Sequence, residues 1–206
     1  MISDQHRAIF IHIQKTGGTS VSLALGGGRR EARKHWTAQE LRRAIEPSVW
    51  ATYYKFAFVR NPWARLLSWW TMLDAQRERF EAGQSENPLV LAALPQCRTF
   101  TDFLERMDDD VVSPKSGHRT NIWRNQIDYL IDANGALLVD FVGRTETLAQ
   151  DIEQIRPHLA APLGAIGHEN AFERSHYSEI YTPALRALVA ERYASDIAHF
   201  GYTFAD

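Results

Sequence analysis

Cysteine is nearly absent from this chain. Cys97 stands alone in 206 residues, so no disulfide can form within it, which fits a reducing compartment. Long apolar runs are also missing. Nothing approaches the ~18 residues of a membrane-spanning helix, and the opening MISDQHRAIF lacks the apolar stretch of a signal peptide. The expectation is a cytoplasmic protein with no membrane span. Neither sign of charge prevails: 23 Lys and Arg face 25 Asp and Glu, for a net charge of −2. That balance speaks against nucleic acid as a partner and requires any basic site to be local. Repeats and low-complexity tracts are lacking too. What is present, 45% hydrophobic and 23% charged residues, suits a folded chain with a real core. No shift of composition marks a boundary, so one domain is expected over 1–206.

Strand-like runs occur at Ala8–Ile13, Lys55–Val59 and Leu137–Val142, with a weaker one at Ile127–Ile131. Helical patterns cover Thr19 to Leu25, then Thr37 to Ile45, where Thr37 and Glu40 form a capping box and Pro47 bars continuation. A further helix starts at Pro62 and carries an apolar stripe of Trp63, Leu66, Leu67, Trp70 and Leu73. Others are expected at Phe100–Met107, Thr145–His158 and Pro183–His199, the last closed by Gly201, with a loop at 83–97 that can hold a short helical turn and further loops at 108–118 and 163–176. Strands alternating with helices predict an α/β fold: a P-loop-like three-layer arrangement with a central, mainly parallel sheet flanked by helices.

The segment IFIHIQKTGGTS, Ile9 to Ser20, runs from an apolar strand into a turn of Lys15, Thr16, Gly17 and Gly18, then into a helix start at Thr19 and Ser20. Glycines let a backbone approach an anion closely, and amides and hydroxyls at a helix start donate to it. A Walker A loop places its lysine after the last glycine. Here Lys15 precedes both, so that pattern fails on order.

The segment KFAFVRNPWARLLS repeats the plan. A strand delivers Arg60, and Pro62 opens a helix on which Ser68 lies about 9 Å further along. Arg60 can offer a bidentate fork to a phosphate. Ser68 falls opposite the Trp63, Leu67 and Trp70 stripe, where core packing should not claim it. Ends of parallel strands share one edge of a sheet, where ligands bind, so two anion sites suggest a ligand with two separated anionic groups.

With these two motifs the chain resembles the sulfotransferase family, in particular its carbohydrate and heparan-sulfate-type O-sulfotransferase branch. QKTGGTS resembles the family's 5′-phosphosulfate loop, and RNPWARLLS its 3′-phosphate element; weaker likeness runs through VDFVGRTETLAQDI, HEN (168–170) and the terminal YASDIAHFGYTF. The resemblance implies 3′-phosphoadenosine 5′-phosphosulfate (PAPS) as co-substrate, adenosine 3′,5′-bisphosphate (PAP) as product, and no metal. It implies that Lys15 meets the oxygen bridging sulfate and phosphate. Thr16, Gly17, Gly18, Thr19 and Ser20 would hold the 5′-phosphate, and Arg60 and Ser68 the 3′-phosphate. The partner would be an acceptor bearing a hydroxyl, on a carbohydrate or a small metabolite.

The acceptor hydroxyl calls for a base. His35, 25 residues before Arg60, resembles the catalytic histidine of that branch, and imidazole suits neutral pH; Glu31 and Asp109 are rivals. His12 reads as a core histidine. Lys115, Arg119 and Arg124 could meet an anionic acceptor or form a solvated basic stretch. Arg174 or Ser175 could approach the nucleotide, and Trp123 or Phe172 could stack on adenine or pack a core. Two other readings stay open: a P-loop kinase or NTPase, with Asp140 ending a Walker B-like strand, and a nucleotide-binding module without catalysis.

Overall fold

The two most continuous apolar runs of the sequence become neighbouring parallel strands. In this computed structural model the described residues are 1–28, 33–107, 111–112, 119–167 and 177–205. In chain order the first elements are β1 (Ile2–Ser3), β2 (Ala8–Ile11), α1 (Gly18–Ala24), α2 (Ala38–Ala44), α3 (Pro47–Thr52), β3 (Tyr54–Val59) and α4 (Pro62–Asp74). There follow α5 (Arg77–Glu81), α6 (Pro88–Ala93), α7 (Phe100–Arg106), β4 (Val111–Val112) and β5 (Arg119–Thr120). The chain continues through β6 (Phe141–Arg144), α8 (Leu148–Ile155), α9 (Pro183–Arg192) and α10 (Ala194–Phe200).

The chain divides into two compact units, Met1–Asn61 with Asn125–Glu173, and Pro62–Arg124 with Arg174–Asp206. The first holds a four-stranded sheet ordered β1-β2-β3-β6. β1 runs antiparallel to β2; β2, β3 and β6 are parallel, with Ile11 opposite Ala57 and Val59 opposite Arg144. Ala8, Ile9, Phe10 and Ile11 are all buried, as are Phe56 to Val59, the two-sided burial typical of parallel strands. On one face Phe10, Phe56 and Phe58 join Val21 and Leu25 of the α1 segment and Ile152 and Ile155 of α8 in one apolar cluster. The α/β class with a mostly parallel sheet flanked by helices is therefore what the chain adopts.

Several boundaries differ from expectation for local reasons. β2 stops at Ile11 because the Ile13 amide turns back to the Ile11 carbonyl. Ile127–Ile131 is not a strand: Ile127–Tyr129 forms a 3-10 turn, and Ile131 makes a lone bridge to Leu137 around a turn capped by the Asp132 carboxylate. β6 begins at Phe141, after the Leu138 amide has gone to the Leu130 carbonyl. The helix expected from Thr145 begins at Leu148, because Asp151 accepts from the Arg144 amide and the Thr147 hydroxyl, folding the first residues into a turn. Pro47 does more than bar α2 from continuing; it opens α3. The Thr37–Glu40 capping box forms as expected.

In the second unit α4 is buried nearly all round, and Trp63, Leu66, Leu67 and Leu73 join an apolar cluster with Phe103, Leu185 and Val189. Ser68 is only 7% exposed, so the expectation that packing leaves its side of the helix alone is corrected. Val111–Val112, inside the segment 108–118 expected to be irregular, pairs with Arg119–Thr120 just beyond it as a small antiparallel ribbon. The short helical turn expected within 83–97 is α6, started by Pro88 and capped by Asn87. The long C-terminal helix is split at Tyr193, whose fully buried hydroxyl donates to the Ile122 carbonyl.

Candidate functional site

The segment from Lys15 to Ser20 follows β2, and Arg60 follows β3. β2, β3 and β6 are parallel and in register, so the residues after Ile11, Val59 and Arg144 leave the same edge of the sheet. Lys15 follows β2 with φ 67°, a left-handed backbone that a lysine adopts only at a cost of about 1–2 kcal/mol. Gly17 has φ 73° and is the N-cap of α1. Strain of this kind concentrates where function requires a fixed backbone.

The turn leaves a run of backbone amides uncommitted among the described residues. Among the described residues the amides of Thr16, Gly17, Gly18 and Thr19 have no acceptor. The Thr16 hydroxyl is the exception in this stretch, donating to the Ile13 carbonyl at 3.0 Å. α1 has only seven residues, so the offer to an anion rests on these amides and on Lys15 rather than on a long helix dipole.

Arg60 is brought to the same loop: its Nη1 donates to the Lys15 carbonyl at 3.3 Å. Its own backbone is tied down. The Arg60 amide donates to Gln126 Oε1 and the Arg60 carbonyl accepts from Gln126 Nε2, both at 2.8 Å. The next amide, that of Asn61, donates to Glu146 Oε1 at 2.7 Å. Gln126 and Glu146 are site-building residues that sequence reasoning missed. They stand 66 and 85 positions from their partners, and no local pattern announces them. Gln14 is held in a similar way by the Tyr129 hydroxyl at 2.6 Å.

Two histidines stand beside the loop. His12 is buried, with its ring stacked on Phe10. Burial, followed by the nearby His35 and Lys34, holds its pKa well below the ordinary 6.5, so it is a neutral imidazole. His35 precedes α2, its ring lies edge-on to His12 at 4.8 Å between centroids, and its Nδ1 donates to the His12 carbonyl at 2.9 Å. Gly18 makes room for this: a Cβ there would lie 2.3 Å from His12 Cδ2.

A model of the sulfotransferase family matches residues 1–203. The chain belongs to that family. As a sulfotransferase it moves a sulfuryl group from a sulfate donor to an acceptor. No curated protein and no solved structure matches the chain.

Other residues of this sulfotransferase find plainer places. Asp140, just ahead of β6, accepts from the Lys55 amide at 2.8 Å and pairs with its ammonium at 2.9 Å, tying the start of β6 to β3. In the second unit Trp123 is buried in the apolar cluster against Tyr193, and the Arg124 carbonyl accepts from Arg65 Nη1. Ser68 is a mostly buried residue whose hydroxyl has no hydrogen-bond partner among the described residues. No helix among the described residues is long and apolar enough to cross a membrane. Glu31, Asp109, Lys115, His168–Asn170, Phe172, Arg174, Ser175 and the side chain of Arg119 lie outside the described residues.

Proposed function

We propose that this sulfotransferase uses 3′-phosphoadenosine 5′-phosphosulfate and sulfates a hydroxyl on a carbohydrate or a small metabolite. The observation that carries this reading is the Lys15 turn, with its run of amides from Thr16 to Thr19 that have no acceptor and the Arg60 guanidinium 3.3 Å from the Lys15 carbonyl. Such amides fit a 5′-phosphate, because they satisfy an oxyanion without reorganising. Gly17, Gly18 and Thr19 supply this cradle with their amides, and Ser20, whose amide goes to the Gly17 carbonyl, would add its hydroxyl. Thr16 contributes its amide, its hydroxyl being turned to Ile13.

Each residue then has a distinct task. His35 takes the proton of the acceptor hydroxyl as its oxygen attacks sulfur. Lys15 stabilises the charge that grows on the bridging oxygen as the bond from sulfur to that oxygen breaks. A guanidinium carries five N–H groups, and the likeness of RNPWARLLS to the family's 3′-phosphate element supports a role for Arg60 and Ser68 in holding that phosphate. That phosphate distinguishes the donor from ATP.

The decisive measurement compares thermal unfolding with PAP and with ADP. At 100 times its dissociation constant, the bisphosphate should stabilise the protein by about 2.7 kcal/mol, and ADP by much less. Equal shifts would remove the donor assignment.

A further inference from the structure

His12 was expected to be a core histidine, and it is buried, but its surroundings give it a second task. His35 Nδ1 lies 2.9 Å from the His12 carbonyl. A carbonyl can only accept, so Nδ1 must carry a proton. In the neutral ring that leaves the lone pair on Nε2. The orientation needed for this bond is set by the neighbouring ring: His12 packs against the edge of His35 at 71° between planes, and is itself wedged between Phe10, stacked at 5.4 Å, and the bare Cα of Gly18. The Ser22 hydroxyl lies 3.4 Å from His12 Nδ1. Gly18 is thus more than an opening for an anion. It is the slot that receives the imidazole on which His35 rests.

We propose that His12 is a positioning residue: its ring and carbonyl fix His35 as the Nδ1–H tautomer, with Nε2 as the proton-accepting atom. The structural part stands on geometry alone; its catalytic meaning rests on the reading of His35 as the base. The arrangement also links the donor loop to the base, since Gly18 belongs to one and supports the other.

The test uses the full chain, labelled with 15N-histidine and saturated with PAP, at neutral pH. In the unaltered protein the His35 ring should show a protonated Nδ1 and an unprotonated Nε2. The opposite tautomer there would overturn the inference without any variant. His12→Ala should shift His35 towards the Nε2–H form and lower kcat by about tenfold or more, while leaving donor KM within about threefold. Gly18→Ala, which pushes the His12 ring from the other side, should shift the tautomer in the same direction. A His35 tautomer and kcat both unmoved by His12→Ala would leave the tautomer to the backbone carbonyl, overturning the positioning role of the His12 ring and reducing it to packing. A shifted tautomer with unchanged kcat would support the positioning role and instead remove His35 as the base.

Discussion

The turn after β2 and the turn after β3 are written alike in the sequence and built on opposite principles. Each follows a buried parallel strand, each has a cation at the strand end, and each leads into a helix. After β2 the backbone is strained at Lys15 and Gly17, and the amides from Thr16 to Thr19 have no acceptor among the described residues. After β3 the amides of Arg60 and Asn61 are taken by Gln126 and Glu146, and Pro62 has none to give. The first turn can meet an anion with its backbone; the second can meet one only with side chains. Single substitutions should therefore act differently at the two.

The largest effect is expected for Lys15→Ala, which removes a charge that acts when the leaving group departs. Turnover should fall about 100- to 1,000-fold, while PAP affinity, measured calorimetrically, should change less than about tenfold because the amides remain. A matching loss in both would make Lys15 a binding residue only. Next comes Arg60→Ala. Where an anion site consists of side chains, deleting one costs about 1.5–3 kcal/mol, roughly 10- to 100-fold in PAP affinity, with ADP affinity nearly unchanged. Equal losses for the two nucleotides would erase the distinction between the turns.

Acid should act through His12. Its folded pKa lies well below the ordinary 6.5, so below that pH the unfolded chain takes up a proton that the folded chain refuses. Stability, followed by denaturant midpoints, should decline as pH drops below about 6.5 and continue to decline towards the folded pKa. A His12→Gln protein should lose that part of the slope. An unchanged slope would mean that another group carries it. The smallest effect is a gain: Lys15→Gly relieves the left-handed strain and should raise stability by about 1 kcal/mol while abolishing most turnover. A loss of stability would show that the lysine side chain holds the loop it strains.

The sequence carried the main strands, the capping box, the glycine turn and the cation at each strand end, because these are local patterns of apolar period, glycine and proline. It did not carry what lies far along the chain. Gln126 reads as an ordinary polar residue until its amide group pairs with both the backbone N–H and the carbonyl of Arg60. The apolar run at Ile127 read as a strand because four or five apolar residues suit a strand and a buried turn equally. Ser68 looked peripheral on a helical wheel drawn for one packed face, whereas α4 is packed on nearly all sides. His12 was read correctly as buried, but its grip on His35 depends on a contact 23 residues away.

The interruption of the first unit by residues 62–124 has a consequence during synthesis. β2 and β3 can pair once Val59 has left the ribosome. Gln126, which ties the Arg60 amide, follows 66 residues later, a delay of about 3–13 s at ~5–20 residues per second. Glu146 and the β6 strand that pairs with β3 come later still. The nascent chain therefore carries an open sheet edge and two uncommitted turns through that interval, and a chaperone that shields strand edges would find its target there.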